Sequence, residues 1–296
     1  MFTLDQARAF VAVAEELHFG RAAERLHMTQ PPLSRQVQKL EKALDVGLLI
    51  RGSRGVTLTA AGTAFLDECR QLLDRADRAP QRARLIDAGQ EGLLRLGYTA
   101  ASSFSILGGL LSALKERAPG VSIELREMVT AQQMEALRTG AIDMGLARPP
   151  FPDDDAVSSP LLQEALVVAL HHEHPLARRG QPVTAAEVRR EPLIMHSTEH
   201  ARYFRDLVVG LLDVREDQVT HTVSQVLTMM TLVAAGHGCA LVPDSAARLG
   251  LPKVTLLPLV ESPSDVVQLH AMWSRGSTNP ALKVVLPIVK LMRPNR

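Results

Sequence analysis

The stretch RAAERLHMTQPPLSRQVQKLEKAL, Arg21 to Leu44, constrains the chain more than any other, because two short helices joined by a tight turn are what suit it. At about 100° per residue, Leu33, Val37, Leu40 and Leu44 fall along one line of the second helix, with Ser34, Arg35, Gln38 and Lys42 opposite. One face packs and the other meets solvent. In the first helix Ala22, Ala23 and Leu26 are the burying residues, and small side chains let two helices cross closely. His27 and Met28 make the turn, and Thr29 is placed to cap the second helix. Pro31 and Pro32 are tolerable only in a first turn, where N–H groups have no intrahelical partner, so this helix starts near Gln30. The layout is that of a helix-turn-helix.

The outward residues suit DNA. Arg35 can take guanine bidentately, Gln30 and Gln38 can pair with adenine, Ser34 can serve base or phosphate, and Lys39 and Lys42 can reach phosphates. Thr29 and Pro31, at the helix start, complete the contacting set. Any one of these residues alone would fit a solvated helix face; the caps, turn and basic side together favour DNA. The net charge of the chain is only +1, which argues against nonspecific coating of nucleic acid and requires the attraction to be local. It is local: between Arg21 and Arg54, seven bases (Arg21, Arg25, Arg35, Lys39, Lys42, Arg51 and Arg54) face only Glu24, Glu41 and Asp45.

Around the motif, Leu4, Ala7, Val11 and Ala14 recur at helical spacing, giving a helix that completes a three-helix core. LLIRGSRGVTLT then changes period: Leu48 to Ile50 and Val56 to Leu58 flank a Gly-rich turn, a β-hairpin wing whose Arg51 and Arg54 can follow the phosphates. Thr59 caps a long helix in which Phe65, Cys69, Leu72, Ala76, Ala79, Ala83 and Ile86 follow alternating steps of four and three, the seam of a coiled coil. Phe65, Cys69, Leu72 and Ala76 are its dimerisation residues; the alternative is a helix packed on its own domain. Pro80 removes one backbone hydrogen bond, so a kink or break is expected there. Gly89-Gln90-Glu91-Gly92 reads as a hinge.

A chain of 296 residues, 46% of them hydrophobic and 22% charged, holds two or three domains. From Leu93 strands and helices alternate: LLRLGYT, a helix from about Phe104, VSIELRE, a helix after Thr130, AIDMGLA, then a second such series. That pattern predicts α/β architecture with mostly parallel sheets, in two subdomains. VVQLHAMW and the last helix, Asn279 to Met292, return to the first subdomain, making a bilobed clamp with its ligand crevice at strand C-termini. The expected boundaries are 1–58 for the winged helix-turn-helix, 59–88 for the linker helix, 89–92 for the hinge and 93–296 for the effector domain. Within the last, the first subdomain takes about 93–163 and 266–296, and the second about 164–265.

Other chemistry finds little support. Cys69 and Cys239 lack CxxC spacing, and a reducing, cytoplasmic compartment fits them. The N-terminus lacks a signal-peptide layout, and no apolar run is long enough to span a bilayer, so no membrane partner is expected. His171, His172, His174, His196 and His200 have no Cys or paired carboxylate at ligand spacing, so no metal is expected. Neither GxSxG nor GxxxxGK occurs, so no catalytic residue is assigned, and Gly236-His237-Gly238 reads as a helix C-cap and strand entry. The rival from another class is a solute-binding protein of periplasmic-binding-protein type, which the N-terminal motif opposes.

HFGRAAERLHMTQPPLSRQVQKLEKALDVGLLIRGSRGVTLTAAG closely resembles the LysR-type transcriptional regulators, through TQPPLSRQ followed by QKLE and through R-x-x-R-G-V-x-LT-x-AG. The resemblance extends through the hinge into the C-terminal part. EMVTAQQMEALRTGAIDMGLAR and VAAGHGCALVP look most like the regulators of aromatic-compound (catechol, benzoate, muconate) degradation. The family implies a winged helix-turn-helix, a linker helix and a periplasmic-binding-protein-like effector domain, assembled as a homodimer or homotetramer that bends promoter DNA and works with RNA polymerase. Two features depart from it: Pro80 in the linker helix, and Ala100-Ala101-Ser102-Ser103, a few residues longer than the matching loop. No cofactor is implied beyond a small effector, muconate-like or an aromatic carboxylate. Ser102, Ser103, Thr130 and Ser197, each at or just before an expected helix N-terminus, would hold it, with Thr198, His200 and Arg148 nearby. The alternative is that each hydroxyl merely caps its own helix.

Overall fold

The computed structural model describes residues 1–52, 55–151 and 156–292. The chain forms two compact units, Met1–Leu85 and Ile86–Arg296.

In the first unit, Thr3 and Gln6 form a capping box at the start of α1 (Leu4–Glu16). It is followed by α2 (Phe19–Arg25) and α3 (Gln30–Leu44). Ala22 and Ala23 are buried, as are Leu33, Val37 and Leu40, and these side chains meet Ala7, Phe10 and Val13 of α1 in one core. Each fully buried Leu or Val there contributes about 1.5–3 kcal/mol relative to exposure. Leu4, expected on the packed face, is exposed, and Phe10 takes that role one turn and a half further on. Thr29 occupies the N-cap position of α3 with extended backbone, but its side chain makes no capping bond. The wing pairs β1 (Leu49–Gly52) with β2 (Gly55–Leu58) in antiparallel register, Leu49 opposite Leu58.

The linker helix α4 (Ala60–Asp87) starts under Thr59, whose Oγ1 accepts from Gly62 N at 2.9 Å. Gly62 is required here: a Cβ on it would lie 2.0 Å from the Leu48 carbonyl oxygen, so helix and wing approach through its bare backbone. Pro80 does not break the helix, which runs unbroken on both sides of it. The expected break is absent because only the bond to the Ala76 carbonyl is forfeited and both residues lie outside the buried core, where water can serve that oxygen.

Near the start of the second unit, a Cβ on Gly89 would lie 2.3 Å from the Pro280 carbonyl oxygen, so the segment expected as a hinge is tightly packed at this residue. The strands in order are β3 (Gly92–Tyr98), β4 (Val121–Glu127), β5 (Met144–Ala147), β6 (Ala156–Glu164), β7 (Leu166–His171), β8 (Leu193–His196), β9 (Val219–Val223), β10 (Ala240–Pro243), β11 (Val254–Pro258) and β12 (Val267–Ser274). One sheet runs β4-β3-β5-β12-β6; others run β10-β7-β11 and β8-β9. The strands are not mostly parallel: the five-stranded sheet is mixed, the three-stranded sheet is antiparallel throughout, and β8 and β9 pair in parallel. β3 pairs parallel with β4 and β5, whereas β12 is antiparallel to β5 and β6, and β7 is antiparallel to β10 and β11. The reason is the double crossing: β6 leaves the first subdomain and β12 returns to it, so the two must run in opposite directions.

β12 and the last helix do rejoin the first subdomain, as expected. Ala281, Leu282, Val285, Ile288 and Val289 pack with Leu94, Leu96, Leu110 and Leu114. Helical structure begins earlier than Phe104, at α5 (Ala100–Ser102), and continues through a π-helical turn, Ser103–Leu107, into α6 (Gly108–Arg117). The remaining helices are α7 (Thr130–Arg138), α8 (Pro175–Arg179), α9 (Ala185–Val188), α10 (Arg202–Leu211), α11 (Val226–Ala234) and α12 (Pro280–Leu291).

Candidate functional site

Two surfaces carry chemistry. The first is the solvent face of α3. Gln30, Pro31, Arg35, Gln38 and Lys39 are exposed and Ser34 is half-buried, and among these Gln30, Arg35, Gln38 and Lys39 have no side-chain partner within the described residues. Unpaired donors on a helix whose opposite side is anchored in a core are free to meet base edges and phosphates. Arg51 is different. Its Nη2 lies 3.6 Å from Glu41 Oε2, its Nη1 donates to Ser34 Oγ at 3.4 Å, and its guanidinium sits 4.9 Å from the Phe19 ring centroid. Glu41 in turn accepts from Leu48 N and Leu49 N at 2.9 and 3.1 Å, so it fastens the wing to α3. Sequence reasoning missed that clamp, counting Glu41 only as an opposing charge. Arg54 lies outside the described residues.

The second is a cleft of about 870 Å³ in the C-terminal unit, lined by residues following β3, β4, β5, β8 and β9. Its position at strand C-termini is the one expected for such folds. Arg148 lies in its wall yet is only 4% exposed. The Arg148 backbone N donates to Thr130 Oγ1 at 3.2 Å and Nη1 donates to the Gln268 carbonyl at 3.0 Å, but Nε and Nη2 are buried without a hydrogen-bond partner. The guanidinium carbon sits 4.6 Å from the Phe204 ring centroid and 5.5 Å from that of Tyr203. Burial pulls the Arg148 pKa down, but an arginine stays charged at any physiological pH. The nearby Glu164 carboxylate is engaged elsewhere, accepting from Ser245 N at 2.7 Å and Ser245 Oγ at 3.1 Å.

Of the residues singled out from the sequence, Thr130, Arg148 and His200 line this cleft; Ser102, Ser103, Ser197 and Thr198 do not. Ser102 is fully buried within the helical segment and donates to the Thr99 carbonyl at 2.6 Å, while Ser103 is exposed and donates to the Ala100 carbonyl at 2.6 Å. Both sit off the cleft for a reason of register: the helix begins at Ala100, so its N-cap is Thr99, which is among the lining residues, with its Oγ1 buried and unpartnered. Ser197 accepts from Glu199 N and His200 N at 3.3 and 3.4 Å, closing its own turn well before α10, and Thr198 is exposed. Thr130 is the first residue of α7 rather than its cap. Tyr203, Phe204 and Gln225 also line the cleft and had no signal in the sequence beyond the amphipathic spacing of their helices.

Behind the cleft His196 stacks on Phe204, with centroids 5.1 Å apart and planes at 19°. Its Nε2 is 2.9 Å from the Leu241 carbonyl and its Nδ1 has no partner. Burial, assisted by the Arg148 charge, lowers its pKa to about 4 against the Leu241 bond, so the ring is neutral at pH 7 and Nε2–H donates. Among the described residues no set of three or more metal-ligating side chains converges.

In the dimerisation set, Cys69 is 1% exposed and Phe65 packs at 5.6 Å, centroid to centroid, on both Phe2 and Phe10. Cys69 completes the core of its own unit and is unavailable to a partner, whereas Phe65 packs on that core but stays half-buried. Burial, with a smaller contribution from Glu68, pushes the Cys69 thiol up to about 11. Leu72 is 40% exposed and Ala76 is half-buried, so the outward part of the seam starts there.

Residues 4–63 match the bacterial regulatory helix-turn-helix protein, lysR family, and residues 87–290 match the LysR substrate binding domain. The uncharacterized HTH-type transcriptional regulator YnfL of Escherichia coli (strain K12) is 37% identical over 275 residues, 92% of each chain. The probable cat1 operon transcriptional activator of Acinetobacter lwoffii is 38% identical, covering 83% of this chain and 82% of that protein. Among solved structures, full-length CbnR complexed with its target DNA is 30% identical with a TM-score of 0.80, over 98% of this chain and 99% of the other. Full-length BenM is 30% identical with a TM-score of 0.61, over 98% and 96%. The match from residue 4 decides against a solute-binding protein. The chain belongs to the LysR family of transcriptional regulators, with a DNA-binding winged helix-turn-helix and an effector-binding domain.

Proposed function

We propose that this regulator acts in the cytoplasm on promoter DNA, together with RNA polymerase, in response to a small carboxylate held in the cleft by Arg148 and Thr130. The orphaned edge of the buried Arg148 guanidinium carries this reading: leaving charged donors unpaired in low dielectric is costly, and a carboxylate is the group that relieves it. Thr130 Oγ1 already accepts from Arg148 N, which leaves its hydrogen free for an anion. The resemblance of EMVTAQQMEALRTGAIDMGLAR and VAAGHGCALVP to regulators of aromatic-compound degradation supports a muconate-like or aromatic carboxylate. Thr29, Gln30, Pro31, Ser34, Arg35, Gln38 and Lys39 form the DNA-contacting set, with Arg51 bracing it. Self-association to a dimer or tetramer runs through the outward seam of α4.

A thermal-shift screen of aromatic acids and their ring-cleavage products tests the reading, since whatever binds the folded state raises its melting temperature. Thr130→Ala is expected to reduce the shift given by the binding acid while leaving DNA affinity without effector unchanged. Loss of both together would mean a folding defect, and an unchanged titration would remove Thr130 from the site.

A further inference from the structure

Resting on the DNA-contacting set assigned above, we propose that Glu41 is a positioning residue for sequence recognition: it fixes the wing against α3 and keeps Arg51 on the protein rather than on a phosphate. Glu41 stands seven residues after Ser34, which at about 100° per residue puts the two within roughly 20° of one line along the helix. A bare carboxylate on that line would repel phosphates and weaken binding to every DNA. This one is engaged through both oxygens. Oε1 accepts from Leu48 N at 2.9 Å and Leu49 N at 3.1 Å, at the foot of the wing, and Oε2 lies 3.6 Å from Arg51 Nη2. The Glu41 side chain is 18% exposed against 39% for Arg51, so the acid is the sheltered partner of the pair.

Arg51 is the one cation among the described residues of β1 and β2, and three groups hold it: Glu41, the Ser34 hydroxyl at 3.4 Å and the Phe19 ring at 4.9 Å. Glu41 and Ser34 belong to α3 and Phe19 to α2, so one side chain ties the wing to both helices of the motif. By donating to Ser34 Oγ, Arg51 occupies a lone pair and leaves the hydroxyl hydrogen for an acceptor on DNA. The wing has a second, independent attachment: Thr59 N donates to the Leu48 carbonyl at 3.0 Å and Thr59 Oγ1 to the Gly47 carbonyl at 2.8 Å. Leu49 and Val56 are also buried in the core of the unit. Loss of Glu41 therefore loosens the wing from α3 without detaching it from its domain. Phosphate contacts by a wing fix the register in which a recognition helix meets base edges, so a wing free to drift loses sequence preference before it loses nonspecific attraction.

Fluorescence anisotropy of the full-length protein on the upstream intergenic duplex and on a scrambled duplex, over a range of salt, tests this with Glu41→Ala, Glu41→Gln and Arg51→Gln. If the acid acted by charge alone, its removal would tighten both complexes. With a positioning role, Glu41→Ala is expected to weaken the intergenic complex roughly tenfold and leave the scrambled one as tight or tighter. The salt slope should steepen by about one as the freed Arg51 reaches a phosphate. Glu41→Gln, whose amide oxygen still accepts from Leu48 N and Leu49 N, should recover most of the intergenic affinity and keep the steeper slope. Arg51→Gln should leave the wild-type slope unchanged, because a guanidinium held on the protein releases no counterion. Unchanged or tighter intergenic binding by Glu41→Ala would overturn the positioning role. A slope shallower by about one in Arg51→Gln would make Arg51 a phosphate contact and overturn the hold on it. Should Glu41→Ala lose both complexes through misfolding, Glu41→Gln decides, and a wild-type slope in it would overturn the proposal. A wild type without preference for the intergenic duplex would remove the base-reading assignment of α3, and the role of Glu41 with it.

Discussion

Arg148 and His196 are linked through Phe204, which stacks against both, and the link ties ligand chemistry to stability. A buried neutral imidazole makes the folded state bind fewer protons than the unfolded chain. His196 titrates at about 4 when folded, against an ordinary histidine value of 6.5. Above pH 6.5 both states are neutral there and the group has no effect. As pH falls from 6.5 towards 4 only the unfolded chain gains the proton, so stability is lost across that window, by up to ~3 kcal/mol for a shift of this size. Urea melts of wild type and His196→Asn between pH 7 and pH 4 check this: the wild type is expected to lose stability more steeply. Parallel curves would remove His196 as the cause. None of this was legible in the sequence, where His196 was one histidine in a set judged for metal binding. The stack depends on an aromatic residue from another helix, and no spacing rule reaches across such a contact.

Among elements, α3 was the most legible, because its apolar line, its prolines and its capping position all point to one start, Gln30. The segment after β3 was the least: the helix begins at Ala100 and passes through a π-helical turn, so the hydroxyls at Ser102 and Ser103 turn inward onto their own backbone and Thr99 is among the residues lining the cleft. The linker helix lies between these cases. Its alternating spacing marks an apolar stripe, yet period alone does not tell an intermolecular seam from a stripe packed on the same chain; Cys69 belongs to the second kind, and half-buried Phe65 packs on the same core. Leu72 remains exposed. Leu72→Asp is therefore expected to disrupt association with little loss of monomer stability, since the new charge is solvated in the separated chain and desolvated only in the assembly. Sedimentation velocity should show a smaller species; an unchanged sedimentation coefficient would exclude this face. Pro80→Ala restores a backbone donor inside α4 and is expected to raise the melting temperature, by an amount corresponding to about 1–3 kcal/mol. A lower melting temperature would show that Pro80 fits its place better than alanine does.

At the scale of the whole molecule, the two-part organisation was legible because periodicity changes sharply along the chain, from helical spacing to alternating strands and helices. The direction of the strands was not, since pairing partners are set by where the chain crosses between subdomains, and β12 meets β5 and β6 from far away in sequence. What unites the molecule is that its N-terminal domain binds DNA and its C-terminal domain a small effector, and α3 carries an exposed face on which Gln30, Arg35, Gln38 and Lys39 have no side-chain partner among the described residues. Arg35 is proposed to read bases rather than merely to add charge. Fluorescence anisotropy with the upstream intergenic duplex and a scrambled duplex of equal length, for wild type and Arg35→Ala over a range of salt, tests it most directly. The expected result is a salt-sensitive wild-type complex that prefers the intergenic DNA. Arg35→Ala should lose roughly 1–3 kcal/mol on the intergenic duplex and much less on the scrambled one. Equal loss on both duplexes would contradict base reading by Arg35.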